Sequence, residues 1–277
     1  MPTRPERLLV SSLCIVLAIL VIASVLLGPL VTGRIVQRTS TDAIDQFRGS
    51  EVISLFIVVP ILVIAVALFQ RSNPIGPYLA LAGALFCTYT YTTVIIGQEY
   101  LRYDGNVERA FPLYAGMVAL GTTISVIAWR IVREATAGSA PHKTRMCMSW
   151  GLIALGAIVA LMWAAQIWQV YWGTPDTAYT ESPTLFWTIK LLDYGFVIPV
   201  AFLLAEGVQR DRHHAFEAGT ALLCFFTILA IGIAAMAVST MLAQGSTTQL
   251  PLVIVLSIVV VGFAYVDTRL LGRIATG

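Results

Sequence analysis

Apolar residues gather in eight stretches of similar length, near residues 8–32, 51–70, 77–97, 111–132, 147–172, 185–208, 218–243 and 251–270, with short polar segments between them. A hydrocarbon layer about 30 Å thick is crossed by roughly 20 helical residues, so each stretch predicts one transmembrane α-helix. The pattern as a whole predicts an all-α integral membrane protein: one polytopic domain over 1–277, a bundle of about eight transmembrane helices. The longest connection, 33–50, reads as a loop too short to hold a nucleotide-binding, protease or nucleic-acid-binding domain. The lipid bilayer is therefore the expected partner, and nucleic acid is not. The first stretch, from Leu8 to Val31, is longer than the roughly 7–15 apolar residues of a signal core and reads as a retained helix.

Composition points the same way. Apolar residues are 58% and charged residues 12% of the chain, with a mean hydropathy of +0.83, beyond the range of a domain that must present a charged surface to water. The placement of charge orients the bundle. With the N-terminus in the cytoplasm, Arg4, Arg7, Arg71, Arg130, Arg133, Lys143, Arg145, Arg210, Arg212, Arg269 and Arg273 lie inside, against Arg34, Arg38, Arg48, Arg102 and Arg109 outside. That asymmetry follows the positive-inside rule and predicts an N-in/C-in topology.

Two loops have character of their own. Arg71-Ser-Asn-Pro-Ile-Gly-Pro77 reads as a tight turn. The segment Arg133 to Arg145, with Gly138, Ser139 and Pro141, reads as a flexible cytoplasmic loop able to touch anionic lipid. Its position midway along the chain suggests two four-helix halves, although no repeat reads clearly between them.

The sixth stretch holds the most unusual chemistry. Lys190 and Asp193 lie inside an apolar run, three residues apart and so on one helix face, where they can neutralise each other. A charge near mid-membrane costs about 2.5–3.5 kcal/mol on insertion scales, so such groups usually face protein or water and find partners. Pro199 predicts a bend just beyond Asp193. The pair reads either as a substrate-gripping or proton-carrying device or as a structural ion pair. Counting about 1.5 Å per residue, Gln166 and Gln169 of the fifth stretch and Tyr91 and Thr92 of the third reach similar depth, with Glu99 further out. They form a pocket if the three helices face one another. Trp168, Tyr171, Trp172 and Trp187 suit an interfacial aromatic belt, and Gly116, Gly121, Gly151, Gly156, Gly232 and Gly262 suit close helix packing.

Several chemistries are disfavoured. Cys14, Cys87, Cys147 and Cys224 form no CxxC pair, which argues against disulfide exchange and against zinc. His142, His213 and His214 all fall in loops, so bis-histidine haem is not expected. HExxH is absent, a rhomboid-like serine would lack its histidine, and Asp193 has no deep carboxylate partner for aspartic proteolysis. The order of Lys190 before Asp193, in the sixth of eight stretches, does not suit a retinal Schiff base. No metal and no cofactor is expected.

Leu191-Leu-Asp-Tyr-Gly-Phe-Val-Ile-Pro-Val200, taken with Tyr89-Thr-Tyr91 and Phe111-Pro-Leu-Tyr114, resembles a group of multi-pass bacterial membrane proteins of no established activity. In that group an aromatic-rich span is followed by a Phe-Leu-x-Tyr-like start of the next span, then by Asp-Leu-Gly and a Val-Val-Pro-like stretch. The resemblance covers roughly 75–210. Tyr194 stands where the group has Leu, and Pro112 interrupts the second motif. What the resemblance implies is a bacterial cytoplasmic (inner) membrane setting and attention to Asp193, without a reaction.

Three function classes follow: binding or transport of a small molecule or lipid through an outer-half polar pocket; a non-catalytic scaffold or accessory subunit with a membrane protein partner; and an enzyme acting on lipid-like substrates. In the first, Asp193 carries the essential charge, Lys190 pairs with it or holds an anionic group, and Asp193→Asn abolishes ligand binding in a folded protein.

Overall fold

The protein is described by a computed structural model covering residues 3–134 and 141–276. The flexible loop expected around Gly138 and Ser139 lies outside the described residues. Eight helices are long and apolar enough to cross a membrane: α1 (Arg4–Leu27), α2 (Thr41–Gln70), α3 (Gly76–Ile96), α4 (Val107–Glu134), α5 (His142–Trp172), α6 (Pro183–Gln209), α7 (Ala215–Gln244) and α8 (Leu250–Ile274). Among the described residues there is no strand. Successive helices run in opposite directions, so one face of the bundle carries both chain ends. It is called the terminal face here, and the other the distal face.

Local chemistry sets the boundaries. Thr3 and Glu6 form a reciprocal capping box at the start of α1, and proline stands in the first turn of α1, α3 and the first part of α6, where its missing N–H costs nothing. The main departure from the hydropathy pattern is α2, which begins ten residues before its apolar run. Residues 41–50, expected as loop, are polar yet helical, because α7 covers them: Asp45 and Ser50 are each 4% exposed. Asp42 accepts from Gln244 Nε2 (2.9 Å), and Arg48 pairs with Asp45 (2.6 Å). Tertiary contact, rather than apolarity, makes this segment helical. Of the glycines expected to permit close packing, Gly121, Gly156 and Gly232 lie against neighbouring helices, whereas Gly151 and Gly262 face open space.

The chain contains a structural repeat. Ser54–Val58 and Asp193–Val197 are both π-helical turns, Pro60 and Pro199 follow them, and α2 and α6 end at Gln70 and Gln209. From 54 to 193, 60 to 199 and 70 to 209 the step is the same, 139 residues. After each helix the residue Ser72 or Asp211 adopts φ 53°, and each is held by an arginine near the start of the half, Arg7 on Ser72 and Arg145 on Asp211. The turns close with matching bonds, Asn73 N to Leu68 O at 2.9 Å and Arg212 N to Gly207 O at 2.8 Å. Four helices per half keep the two halves parallel, the arrangement of repeats related by an axis along the bundle. Packing obeys it: α3 meets α7 at the centre, the first part of α2 leans on α7, and the first part of α6 leans on α3. Side-chain identity across the repeat is sparse, so backbone features reveal a relation that the residues conceal.

The π turns have a common cause. A proline within a helix removes one donor and crowds the carbonyl four residues earlier. Widening the preceding turn relieves that crowding, and such bulges recur at functional sites. A π turn thus stands where a bend beside Asp193 was expected, and Pro60 accompanies its twin in α2.

Candidate functional site

Asp193 opens the π turn of α6 and is 5% exposed. Its carboxylate is fully engaged: the Tyr89 hydroxyl donates to Oδ1 (2.9 Å), and the Trp163 indole N–H donates to Oδ2 (2.7 Å). The residue therefore ties α6 to α3 and to α5. Charge-assisted bonds of this kind are roughly twice as strong as neutral ones, and both oxygens are satisfied from within the protein.

Lys190, also 5% exposed, departs from the expected ion pair. Among the described residues no carboxylate lies within 4.0 Å of its ammonium. Instead Nζ sits 3.5 Å from the ring centroid of Phe186 and 4.0 Å from that of Trp163. Rings at this distance attract a cation through their quadrupole, by about 0.5–2 kcal/mol each. Trp163 thus serves two charges, its N–H facing Asp193 and its face Lys190. The geometry explains the choice: Asp193 is turned towards Tyr89 and Trp163, and an i,i+3 pair cannot close while the carboxylate is held there.

An open cleft of about 520 Å³ adjoins this cage, lined by Ile167, Thr184, Trp187, Thr188, Lys190, Leu191 and Tyr194. Among the described residues Lys190 is the one charged group in its wall. The cleft lies on the outside of the bundle between α5 and the first part of α6, where the two helices diverge towards the distal face; α5 packs closely only on the second part of α6. Aromatic rings crowd its distal rim, with Trp168 against Trp172 at 4.6 Å and Tyr171 near Trp187 at 6.4 Å.

The other expected site residues divide. Gln166 is half-buried and Gln169 exposed on α5, on the helix that borders the cleft, but neither lines it. Tyr91 points elsewhere: it is 4% exposed and stacks on Tyr114 of α4 with centroids 5.8 Å apart. Two residues along a helix turn a side chain by about 200°, so when Tyr89 faces Asp193, Tyr91 faces away. Thr92 is half-buried and outside the cleft lining. Glu99 is a helix cap. Its carboxylate accepts from Thr184 N (2.5 Å) and Thr184 Oγ1 (2.9 Å), at the positive N-terminus of α6. Glu99→Gln keeps the shape and removes the charge, so the unfolding temperature in detergent should fall, by the equivalent of about 0.5–2 kcal/mol, while any bound ligand is retained. Loss of ligand from a folded Glu99→Gln protein would place Glu99 in the site after all.

The first half shows what a filled counterpart looks like. Glu51 and Ser54 stand where the second half has Lys190 and Asp193, one 139-residue step away. Glu51 Oε2 accepts from Leu30 N (2.8 Å), and Oε1 occupies the space a side chain at Gly28 would need. There α1 stops at Leu27 and the following turn folds onto Glu51. In the second half α5 continues to Trp172, past the position equivalent to Leu27, and the space beside Lys190 stays open.

Tyr89, which the sequence offers only as part of the Tyr89-Thr-Tyr91 motif, and Phe186 are not among the residues expected in the site. Nothing in Thr88-Tyr-Thr-Tyr-Thr-Thr93 marks which tyrosine faces α6. Phe186 could have been found, since it lies four residues before Lys190 on the same helix face. No known protein family, no curated protein and no solved structure matches this chain, so its functional reading rests on the site itself.

Proposed function

We propose that the protein resides in a bacterial cytoplasmic membrane with both chain ends in the cytoplasm, and that it binds or transports a small amphiphile bearing an anionic head. Eleven basic residues against five support that orientation. The observation that carries the ligand class is the unpaired Lys190 ammonium at the edge of an apolar cleft open to the bilayer. A phosphate or carboxylate at Lys190, with its chain along Ile167 and Leu191, satisfies the cation and covers the apolar wall. Lys190 is the residue that touches ligand. Asp193 positions Trp163 and Tyr89, and so shapes the cage.

This assignment reverses one expectation. Asparagine at 193 can accept from the Trp163 N–H and donate to the Tyr89 oxygen, so Asp193→Asn should fold. Removing a negative charge close to Lys190 then strengthens, rather than abolishes, the hold on an anion. Native mass spectrometry of detergent-purified protein, with phosphatidylglycerol and phosphatidylcholine added as probes, tests this. The expected result is a phosphatidylglycerol adduct that persists in Asp193→Asn. A phosphatidylglycerol adduct lost in the folded variant would mean that Asp193 itself holds the ligand.

A second reading, a scaffold that docks a membrane protein partner, draws on α8. Only 6% of its apolar window is buried within the bundle, which leaves Leu252, Val255 and Ile258 outward. It predicts co-purification with one partner in place of a small ligand.

A further inference from the structure

Asp267 of α8 occupies the position that Ala128 holds in the first half, again 139 residues apart. Ala128 is fully buried, so packing at this point asks for no more than a methyl group. Yet the second half buries a carboxyl, 8% exposed, in the last third of a helix long and apolar enough to cross a membrane. Threonine stands at equivalent positions of α3 and α7, Thr88 and Thr227. Thr88 Oγ1 donates to its own helix at Ala84 O (3.0 Å), and Thr227 Oγ1 lies 3.1 Å from Leu223 O in the same way. Thr227 Oγ1 is also 2.6 Å from Asp267 Oδ2. A hydroxyl has one hydrogen to give. When Thr227 gives it to Leu223, as Thr88 gives its own to Ala84, the hydrogen in the short contact belongs to the carboxyl.

The surroundings agree. Asp267 Oδ1 is buried without a hydrogen-bond partner. Of the titratable residues on α7, the helix packed along α8, Cys224 hydrogen-bonds the carboxyl through its thiol, and Glu217 is nearly three turns away along α7 from Thr227. On α8 itself Arg269 rests on the Tyr265 ring (5.2 Å), while Arg273 reaches Thr144 of α5 (2.6 Å). Among the described residues no ion pair to Asp267 is present, and no group of three or more His, Cys, Asp or Glu side chains stands ready to hold a metal ion. An ionised carboxylate here would have only one hydroxyl and a weakly donating thiol to compensate it, at a cost of several kcal/mol.

We infer that Asp267 is a proton-binding site, which holds an undissociated carboxyl at neutral pH and donates its hydrogen to Thr227. This is independent of the ligand assigned to the cleft. The site releases its proton only when water or a cation reaches Oδ1, so occupancy reports whether the α7–α8 contact is closed.

Infrared difference spectroscopy of the detergent-purified protein at neutral pH tests it. The expected spectrum contains a carboxylic-acid C=O stretch that is absent from Asp267→Asn and from Asp267→Ala, and that moves to higher frequency in Thr227→Val, where the acceptor is lost. Asp267→Ala restores the residue of the equivalent position and provides a folded control. If neither variant folds, carbon-13 aspartate labelling of the parent and of Thr227→Val reads the same band. A spectrum in which Asp267 contributes carboxylate stretches alone, or a band indifferent to Thr227→Val, overturns the inference.

Discussion

Lys190→Gln should reduce retention of phosphatidylglycerol by tenfold or more while leaving the fold intact. The side chain keeps most of its length and its contact with Phe186 and Trp163, so packing changes little. The loss is the charge. One hydrogen bond to a charged group contributes about 1.5–3 kcal/mol, and 1.4 kcal/mol is tenfold in affinity. Beside an apolar wall, with no other cation lining the cleft among the described residues, that contribution is not screened by neighbours. Lys190→Arg keeps the charge but must fit a planar fork between two rings, so intermediate retention is expected. Equal retention in the parent and Lys190→Gln, measured as bound lipid per protein after detergent exchange, would remove the cleft from the account.

The second large effect concerns packing. Gly49→Ala should cost about 1–3 kcal/mol and lower the unfolding temperature markedly, because an added Cβ would lie 2.4 Å from Ala235 O and 2.7 Å from Met236 Cα. Both are backbone atoms and cannot rotate away, so α2 must move off α7. Gly262→Ala supplies the contrast. Nothing lies within 4 Å of the added methyl, and alanine is the better helix former by about 1 kcal/mol, so stability should hold or rise. The repeat sharpens the point. Thr188 stands at the position equivalent to Gly49, and there α6 leans on α3 less closely than α2 leans on α7. A Gly49→Ala protein as stable as Gly262→Ala would mean that α2 and α7 are not in close contact.

Hydropathy located all eight helices, because a membrane span must satisfy its backbone internally and be apolar outside. It missed the start of α2, where polar residues are buried against α7, since one-dimensional apolarity does not register a partner. The repeat escaped for a related reason. Ser54 against Asp193 and Glu51 against Lys190 share backbone geometry and differ in chemistry, and comparison by residue type discards that geometry. In the candidate site, Asp193 and Lys190 stood out by charge alone. Their partners did not: helical phase separates Tyr89 from Tyr91, and only the packing of α3 on α6 reveals which one turns inward. The expected ion pair failed because Trp163 and Tyr89 hold the carboxylate first.

The proposed occupant of the cleft between α5 and α6 is an anionic amphiphile with its head at Lys190. The most direct measurement is photolabelling with a phosphatidylglycerol that carries a diazirine in its acyl chain, in phosphatidylcholine vesicles, followed by peptide mapping. The account predicts labels concentrated on residues such as Ile167, Leu191 and Tyr194, and their loss in Lys190→Gln. Labels spread over every lipid-facing helix, with α8 marked as heavily as α6 and no change in Lys190→Gln, would contradict it.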